Sequence, residues 1–215
     1  MLVFGALLSP YVRKVCVAAA EKGLDYQLKI SRPRDPDPDF LIASPFGKIP
    51  AIKDGDFTLC DSTAILAYLD AKHPAPRLIP ADAEPAGRAM WFDEYADTIV
   101  GHSGLKVLFN RFVGPKLFKV PGNEAIAEQG MAELPAIWAY LEGVAPAEGW
   151  LAGATFSIGD IAVASMIRSL AYVSAAPDAA AYPAIAAWYA RVCARPAWRL
   201  VAEQEAATTP RTDKP

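Results

Sequence analysis

Every strand signal in this 215-residue chain lies in its first third, and everything beyond reads as helix. Leu2-Val3-Phe4 is a short apolar run ending at Gly5. An amphipathic stretch from Pro10 to about Lys22 follows and stops at Gly23, a residue suited to closing a helix. Tyr26-Gln27-Leu28-Lys29-Ile30 alternates strictly, as a half-buried strand does. Arg32 to Pro38 is too rich in proline for regular structure. Pro50-Ala51-Ile52 and Phe57-Thr58-Leu59 read as strands joined by the turn Asp54-Gly55-Asp56. Ser62 to about Lys72 carries Ile65, Leu66 and Leu69 at helical spacing and ends before His73-Pro74. The order is β-α-β, a loop, then β-β-α: a small mixed sheet with helices.

Composition then shifts. Pro74-Ala75-Pro76-Arg77-Leu78-Ile79-Pro80 reads as an extended linker. Beyond it, Ile126, Leu134, Ile137, Trp138 and Leu141 mark one helix face, and Ile185, Trp188, Tyr189 and Val192 another. Ile158 to Leu170 is apolar nearly all round, as a buried central helix must be. The expected division is an α/β domain over 1–75, a linker over 76–84, an all-helical domain over 85–205 and a frayed tail over 206–215.

The chemistry centres on Ser9-Pro10, at the mouth of the first helix. Proline suits the first helical position because it has no N–H to waste there. Serine suits the cap before it. The hydroxyl then stands at the positive end of a helix macrodipole, beside N–H groups with no internal partner. Such a place either only caps the helix or also stabilises an anion: a phosphate, a carboxylate or a thiolate.

Other patterns narrow the choice. A net charge of -3 gives no basic excess for nucleic acid or an anionic membrane. The N-terminus lacks the charged region of a signal peptide, and no apolar run is long enough to span a bilayer. Cys16, Cys60 and Cys193 are too few and scattered for a disulfide framework, which points to a reducing, cytoplasmic setting. None is placed at a helix N-terminus, so all three are expected to be buried packing residues. With only His73 and His102, no metal site is expected. Gly101-His102-Ser103-Gly104 lies in a long helix, where two glycines imply close approach by a helix, a partner subunit or a ligand. Ser157-x-x-Asp160 before the buried helix is a capping-box variant, expected to serve folding.

The layout resembles the glutathione S-transferase family: a thioredoxin-like βαβ–ββα N-terminal domain, a proline-rich linker and an all-α C-terminal domain. Ser9-Pro10-Tyr11-Val12-Arg13-Lys14-Val15 looks like the first-helix motif of its serine-type, theta-, zeta- and phi-like members. Ser44-Pro45-Phe46-Gly47-Lys48-Ile49-Pro50-Ala51 resembles the segment that opens the family's third strand, with Ser44 for the usual Asn. Asp61-Ser62 stands where the family has Glu-Ser or Gln-Ser, and Ser157 to Ala162 and Arg195 to Trp198 match its later motifs.

The resemblance implies that Ile49-Pro50 is cis and that the Ile49 backbone pairs with the cysteinyl part of glutathione. It places the γ-glutamyl carboxylate on Ser62, with Asp61 near the ligand's ammonium and Lys48 near its glycyl carboxylate. Arg13 either neutralises the ligand or, as preferred here, ties the first helix to the fold.

Ser9 then donates a hydrogen bond to the glutathione sulfur. A thiol with pKa near ~8.5 is only a few per cent ionised at pH 7, and lowering it by two units takes about 2.7 kcal/mol. The thiolate attacks a small hydrophobic electrophile held by Tyr11, Tyr95, Ile99 and His102. The alternatives are a glutathione-dependent peroxidase or disulfide reductase, and a non-catalytic ligand-binding module of the same fold. The resemblance also implies a homodimer, with the small domain of one subunit against the helical domain of the other.

Overall fold

The computed structural model describes residues 1–208. They form two compact units, Met1–Ile79 with the segment from Cys193 onward, and Pro80–Val192.

The first unit is built on a four-stranded sheet: β1 (Leu2–Gly5), β2 (Gln27–Ile30), β3 (Ala51–Asp54) and β4 (Phe57–Cys60). The spatial order is β2-β1-β3-β4, with β1 and β2 parallel and the other pairs antiparallel. Helices α1 (Pro10–Glu21) and α3 (Ser62–Lys72) pack against each other. A third, α2 (Pro38–Ala43), begins where the proline-rich loop was expected to remain irregular. Pro38 opens α2 at a position that needs no N–H, and the Asp37 carboxylate accepts from Asp39 N–H at 3.0 Å.

Successive strand residues face opposite sides of the sheet. Phe4 and Ala51 therefore meet Phe40 and Ala43 of α2, with the Phe4 and Phe40 rings 5.9 Å apart. Val3 and Ile52 point the other way and are fully buried. Gly5 lets α1 lie close to β1: a Cβ there would stand 2.4 Å from a Val12 methyl. Ile30, expected on the buried face of its strand, is 59% exposed at the end of edge strand β2.

The second unit holds α4 (Ala83–Glu94), α5 (Gly101–Leu108), α6 (Glu124–Val144), α7 (Ile158–Leu170) and α8 (Pro183–Cys193). Two π-helical stretches, Tyr95–Val100 and Phe109–Phe118, link α4 to α5 and continue beyond it. Every residue of α7 except Arg168 is buried. On α6 the buried stripe is Ala127, Gly130, Leu134, Trp138 and Leu141, while Ile126 is 41% exposed, against expectation. The glycines mark helix–helix contacts. A Cβ on Gly104 would stand 2.9 Å from Leu170 of α7, and one on Gly130 would stand 2.5 Å from the Ser103 carbonyl oxygen.

The last helix, α9 (Pro196–Thr208), belongs to the first unit, so the helical domain expected over 85–205 divides at Cys193. Arg195 clamps Glu21 at the end of α1 with two bonds of 2.6 and 2.7 Å. Glu205 and Arg13 form a buried ion pair at 2.7 Å. Residues 206–208 of the expected tail are the last turn of α9; 209–215 lie outside the described residues.

Candidate active site

Strand register brings the site residues to one end of the sheet. Phe4 pairs with Ala51, Ala51 pairs with Cys60, and Gly5 pairs with Ile30. The chain leaving β1 toward Ser9, the chain entering β3 through Ile49-Pro50 and the chain leaving β4 into Asp61-Ser62 therefore share that end. Lys14 on α1 donates from Nζ to Thr63 Oγ1 at 3.1 Å, tying the first turns of α3 to α1.

Ser9 is the half-buried N-cap residue of α1, with Pro10 after it at the first helical position. Its carbonyl accepts from Arg13 N–H at 3.0 Å, yet its side chain makes no capping hydrogen bond. The purely capping reading of Ser9 thus has no bond to rest on. The hydroxyl stands at the positive end of α1 without being used by it.

Asp61 is the N-cap of α3, and its carboxylate accepts from Ala64 N–H at 3.0 Å. Its backbone lies at φ 77°, a region costly for any residue with a Cβ. Strain of this kind persists only where surrounding structure enforces it, and it gathers at binding sites. Ser62 is buried at the first position of α3, where the backbone N–H groups lack helical partners.

The Ile49–Pro50 peptide is cis; Ile49 is half-buried and Pro50 buried. Lys48 is exposed. The loop before them is closed by Ser44, which is fully buried. Its hydroxyl accepts from Lys48 N–H at 2.9 Å and donates to the Lys48 carbonyl at 2.7 Å. Gly47, at φ 64°, packs on the backbone of Arg34, whose N–H donates to the Gly47 carbonyl at 2.7 Å. This role for Ser44 escapes a reading from the chain alone: the Ser-Pro pair signals a turn but not which backbone groups the hydroxyl takes up.

Two of the four residues expected to hold the electrophile share a groove. Tyr95 and Ile99 line an apolar groove of about 290 Å³ on the second unit, with Trp91, Ala136, Ile137 and Tyr140. Tyr95 is buried and donates its hydroxyl to the Ile137 carbonyl at 2.8 Å. His102 is exposed on α5 and not part of that groove, because it faces away from the packed glycine side of the helix. Tyr11 belongs to the first unit.

Cys16 of α1 offers no alternative nucleophile. Burial pushes the Cys16 thiol up to about 12, which keeps it protonated. Cys60 and Cys193 are half-buried rather than buried as expected. Asp160, fully buried, accepts from Ser157 N–H and Oγ, Leu151 N–H and Trp188 Nε1, all at 2.9–3.0 Å. Burial pushes its carboxyl upward and these four donors pull it back. Among the described residues no group of three or more His, Cys, Asp or Glu is placed to hold a metal ion. No helix among them is long and apolar enough to cross a membrane.

Comparison with known proteins gives the same frame. The N-terminal domain model of the glutathione S-transferases matches residues 3–77, and the C-terminal domain model matches residues 102–196. Glutathione S-transferase 3 of Zea mays is 31% identical over 206 residues, spanning 92% of this chain and 90% of that protein. A solved glutathione S-transferase from Sinorhizobium meliloti matches with a TM-score of 0.86 at 25% identity, over 97% of this chain and 95% of that one. Glutathione transferase F7 from Populus trichocarpa matches at 0.83 and 26% identity, over 95% of this chain and 98% of that one. The chain belongs to the glutathione S-transferase family and has its two-part fold, a thioredoxin-like sheet domain and a helical domain.

The backbone at Asp61 yields a stability test. Asp61→Ala loses the cap while keeping the strained φ and should lower unfolding free energy by about 0.5–2 kcal/mol. Asp61→Gly relieves the strain and should cost only a few tenths. Denaturant melts check the order; an Ala variant at least as stable as the Gly variant contradicts the strain.

Proposed function

We propose that this chain is a glutathione transferase whose Ser9 hydroxyl activates the glutathione thiol as thiolate for attack on a small hydrophobic electrophile. The observation that carries the reading is the Ser9 hydroxyl: at the N-terminus of α1, half-buried, with no capping bond of its own. The sheet end supplies the rest of a tripeptide site. The γ-glutamyl carboxylate meets the buried start of α3 at Ser62, with Asp61 toward the ammonium. Because Asp61 already caps α3, one carboxylate oxygen serves the helix and the other remains for the ligand. The cysteinyl backbone pairs with Ile49 beside Pro50, as a strand added to a sheet edge. Exposed Lys48 meets the glycyl carboxylate.

Ser9 acts as a donor. The thiol proton leaves to solvent, and the sulfur anion gains one charge-assisted hydrogen bond and the positive end of α1. The sulfur lone pair forms the new C–S bond as the electrophile's leaving group departs with its electron pair or, for an activated alkene, as its π electrons shift to carbon. No metal is required for these steps.

The same reading includes a homodimer. Phe46, in the loop closed by Ser44, is 83% exposed, so its ring is open to a partner. The groove lined by Trp91, Tyr95, Ile99, Ile137 and Tyr140 is its apolar counterpart on the second copy. A cytoplasmic location completes the reading, on the strength of three free cysteines.

Two measurements test this. With a chlorodinitrobenzene as electrophile, Ser9→Ala should lower kcat roughly 10- to 100-fold, the worth of one hydrogen bond to an anion. Its glutathione affinity by calorimetry should change little. Unchanged kcat contradicts the role of Ser9, and tight binding without turnover in the wild type marks a ligand carrier instead. In sedimentation, Phe46→Ser should shift the protein from dimer toward monomer; an unaltered dimer contradicts that contact.

A further inference from the structure

Every polar atom of Ser44 is bonded, and the residue is fully buried. Its N–H donates to the Phe40 carbonyl of α2 at 2.7 Å, and its own carbonyl accepts from Gly47 N–H at 2.8 Å. Its hydroxyl takes both backbone groups of Lys48, accepting from the N–H at 2.9 Å and donating to the carbonyl at 2.7 Å.

One residue further on, the backbone is open. Among the described residues neither the N–H nor the carbonyl of Ile49 has a hydrogen-bond partner. The Ile49 side chain packs on the cluster of Phe4, Phe40, Ala43 and Ala51. Phe40 and Ala43 belong to α2, so Ser44 hangs from the same cluster on which Ile49 rests. The Lys48 carbonyl and the Ile49 N–H lie in one planar peptide unit, which is trans. In a trans unit these two groups point in opposite directions. A hydroxyl that holds the Lys48 carbonyl on one side therefore aims the Ile49 N–H to the other.

We propose that Ser44 is a positioning residue for glutathione, which it never touches: through the Lys48 peptide it holds the Ile49 N–H in the direction that the cysteinyl carbonyl must meet. The loop is then in its binding conformation before the ligand arrives. Such preorganisation raises affinity because the ligand is spared the cost of ordering the chain. For the backbone of one residue that cost corresponds to roughly 5- to 30-fold in a binding constant. This inference rests on the reading of Ile49 as the partner of the cysteinyl backbone and deepens it.

The test combines calorimetry with glutathione, steady-state kinetics and amide hydrogen exchange on full-length wild type and Ser44 variants. Ser44→Ala removes one buried oxygen and adds no bulk. It should weaken glutathione binding roughly 5- to 30-fold and raise KM for glutathione by more than it lowers kcat. The Lys48 amide, protected in the free wild type, should exchange fast in the free alanine variant and slow down when glutathione is added. Ser44→Thr keeps the hydroxyl and should restore both readouts. Ser44→Cys is close to serine in size but weak at both bonds, so its affinity should fall between those of wild type and Ser44→Ala. It supplies the comparison if the alanine variant folds poorly.

A merely structural Ser44 would lower the melting temperature while leaving glutathione affinity and Lys48 exchange as in wild type. That result overturns the proposal. A second ligand separates it from the reading beneath it: glutathione with an ester oxygen in place of the cysteinyl N–H. Wild type should bind this analogue several-fold more weakly, because the Ile49 carbonyl loses its donor. Equal binding of the two ligands by wild type contradicts the Ile49 pairing, and the role of Ser44 falls with it. A wild type that discriminates, beside an alanine variant of unchanged affinity, contradicts Ser44 alone.

Discussion

The antiparallel placement of β3 between β1 and β4 is the constraint on which the site depends. It makes the end of β1, the start of β3 and the end of β4 coincide, in the register Phe4, Ala51, Cys60. Backbone polar groups that β pairing cannot use are left at that end. Two helices begin there, and helix starts are where N–H groups lack partners. The same geometry that completes the sheet therefore concentrates unsatisfied donors in one place, around residues able to hold a small peptide.

Close approach maintains that placement. Gly5 admits Val12 against β1, so α1 cannot drift from the strand that leads into it. The Ser44 hydroxyl closes the loop before Pro50 on the Lys48 backbone, and the Gly47 carbonyl ties that loop to Arg34 N–H. Asp61 holds a backbone conformation disfavoured for a residue with a Cβ, and its own cap bond helps keep it there. Arg13 and Glu21 of α1, with Tyr26 beyond it, bond Glu205, Arg195 and Gln204 of the C-terminal segment. That segment gives α1 a second wall, which the sheet alone does not provide.

Much of this was legible in the chain. The extents of α3 and α7, the hairpin through Asp54-Gly55-Asp56 and the Ser9-Pro10 helix start are local signals, set by capping, proline and apolar spacing. Glutathione as the ligand class came from motif resemblance, which the relatives then supported across the whole fold. What the chain concealed was non-local. No periodicity reveals that Glu205 meets Arg13 or that the last helix joins the sheet unit. The exposure of His102 and Ile126 depends on which helix face finds a neighbour, and only packing decides that. The proline-rich loop hid α2 because proline blocks a helix interior yet suits its first turn.

The central claim is spatial: one end of one sheet holds glutathione with its sulfur at Ser9. A crystal structure of the protein soaked with glutathione tests it most directly. The account predicts the sulfur within hydrogen-bond distance of Ser9 Oγ, the γ-glutamyl carboxylate at the start of α3 on Ser62, and the cysteinyl backbone paired with Ile49. A tripeptide bound at that end with its sulfur turned away from Ser9, or bound elsewhere on the molecule, would contradict it.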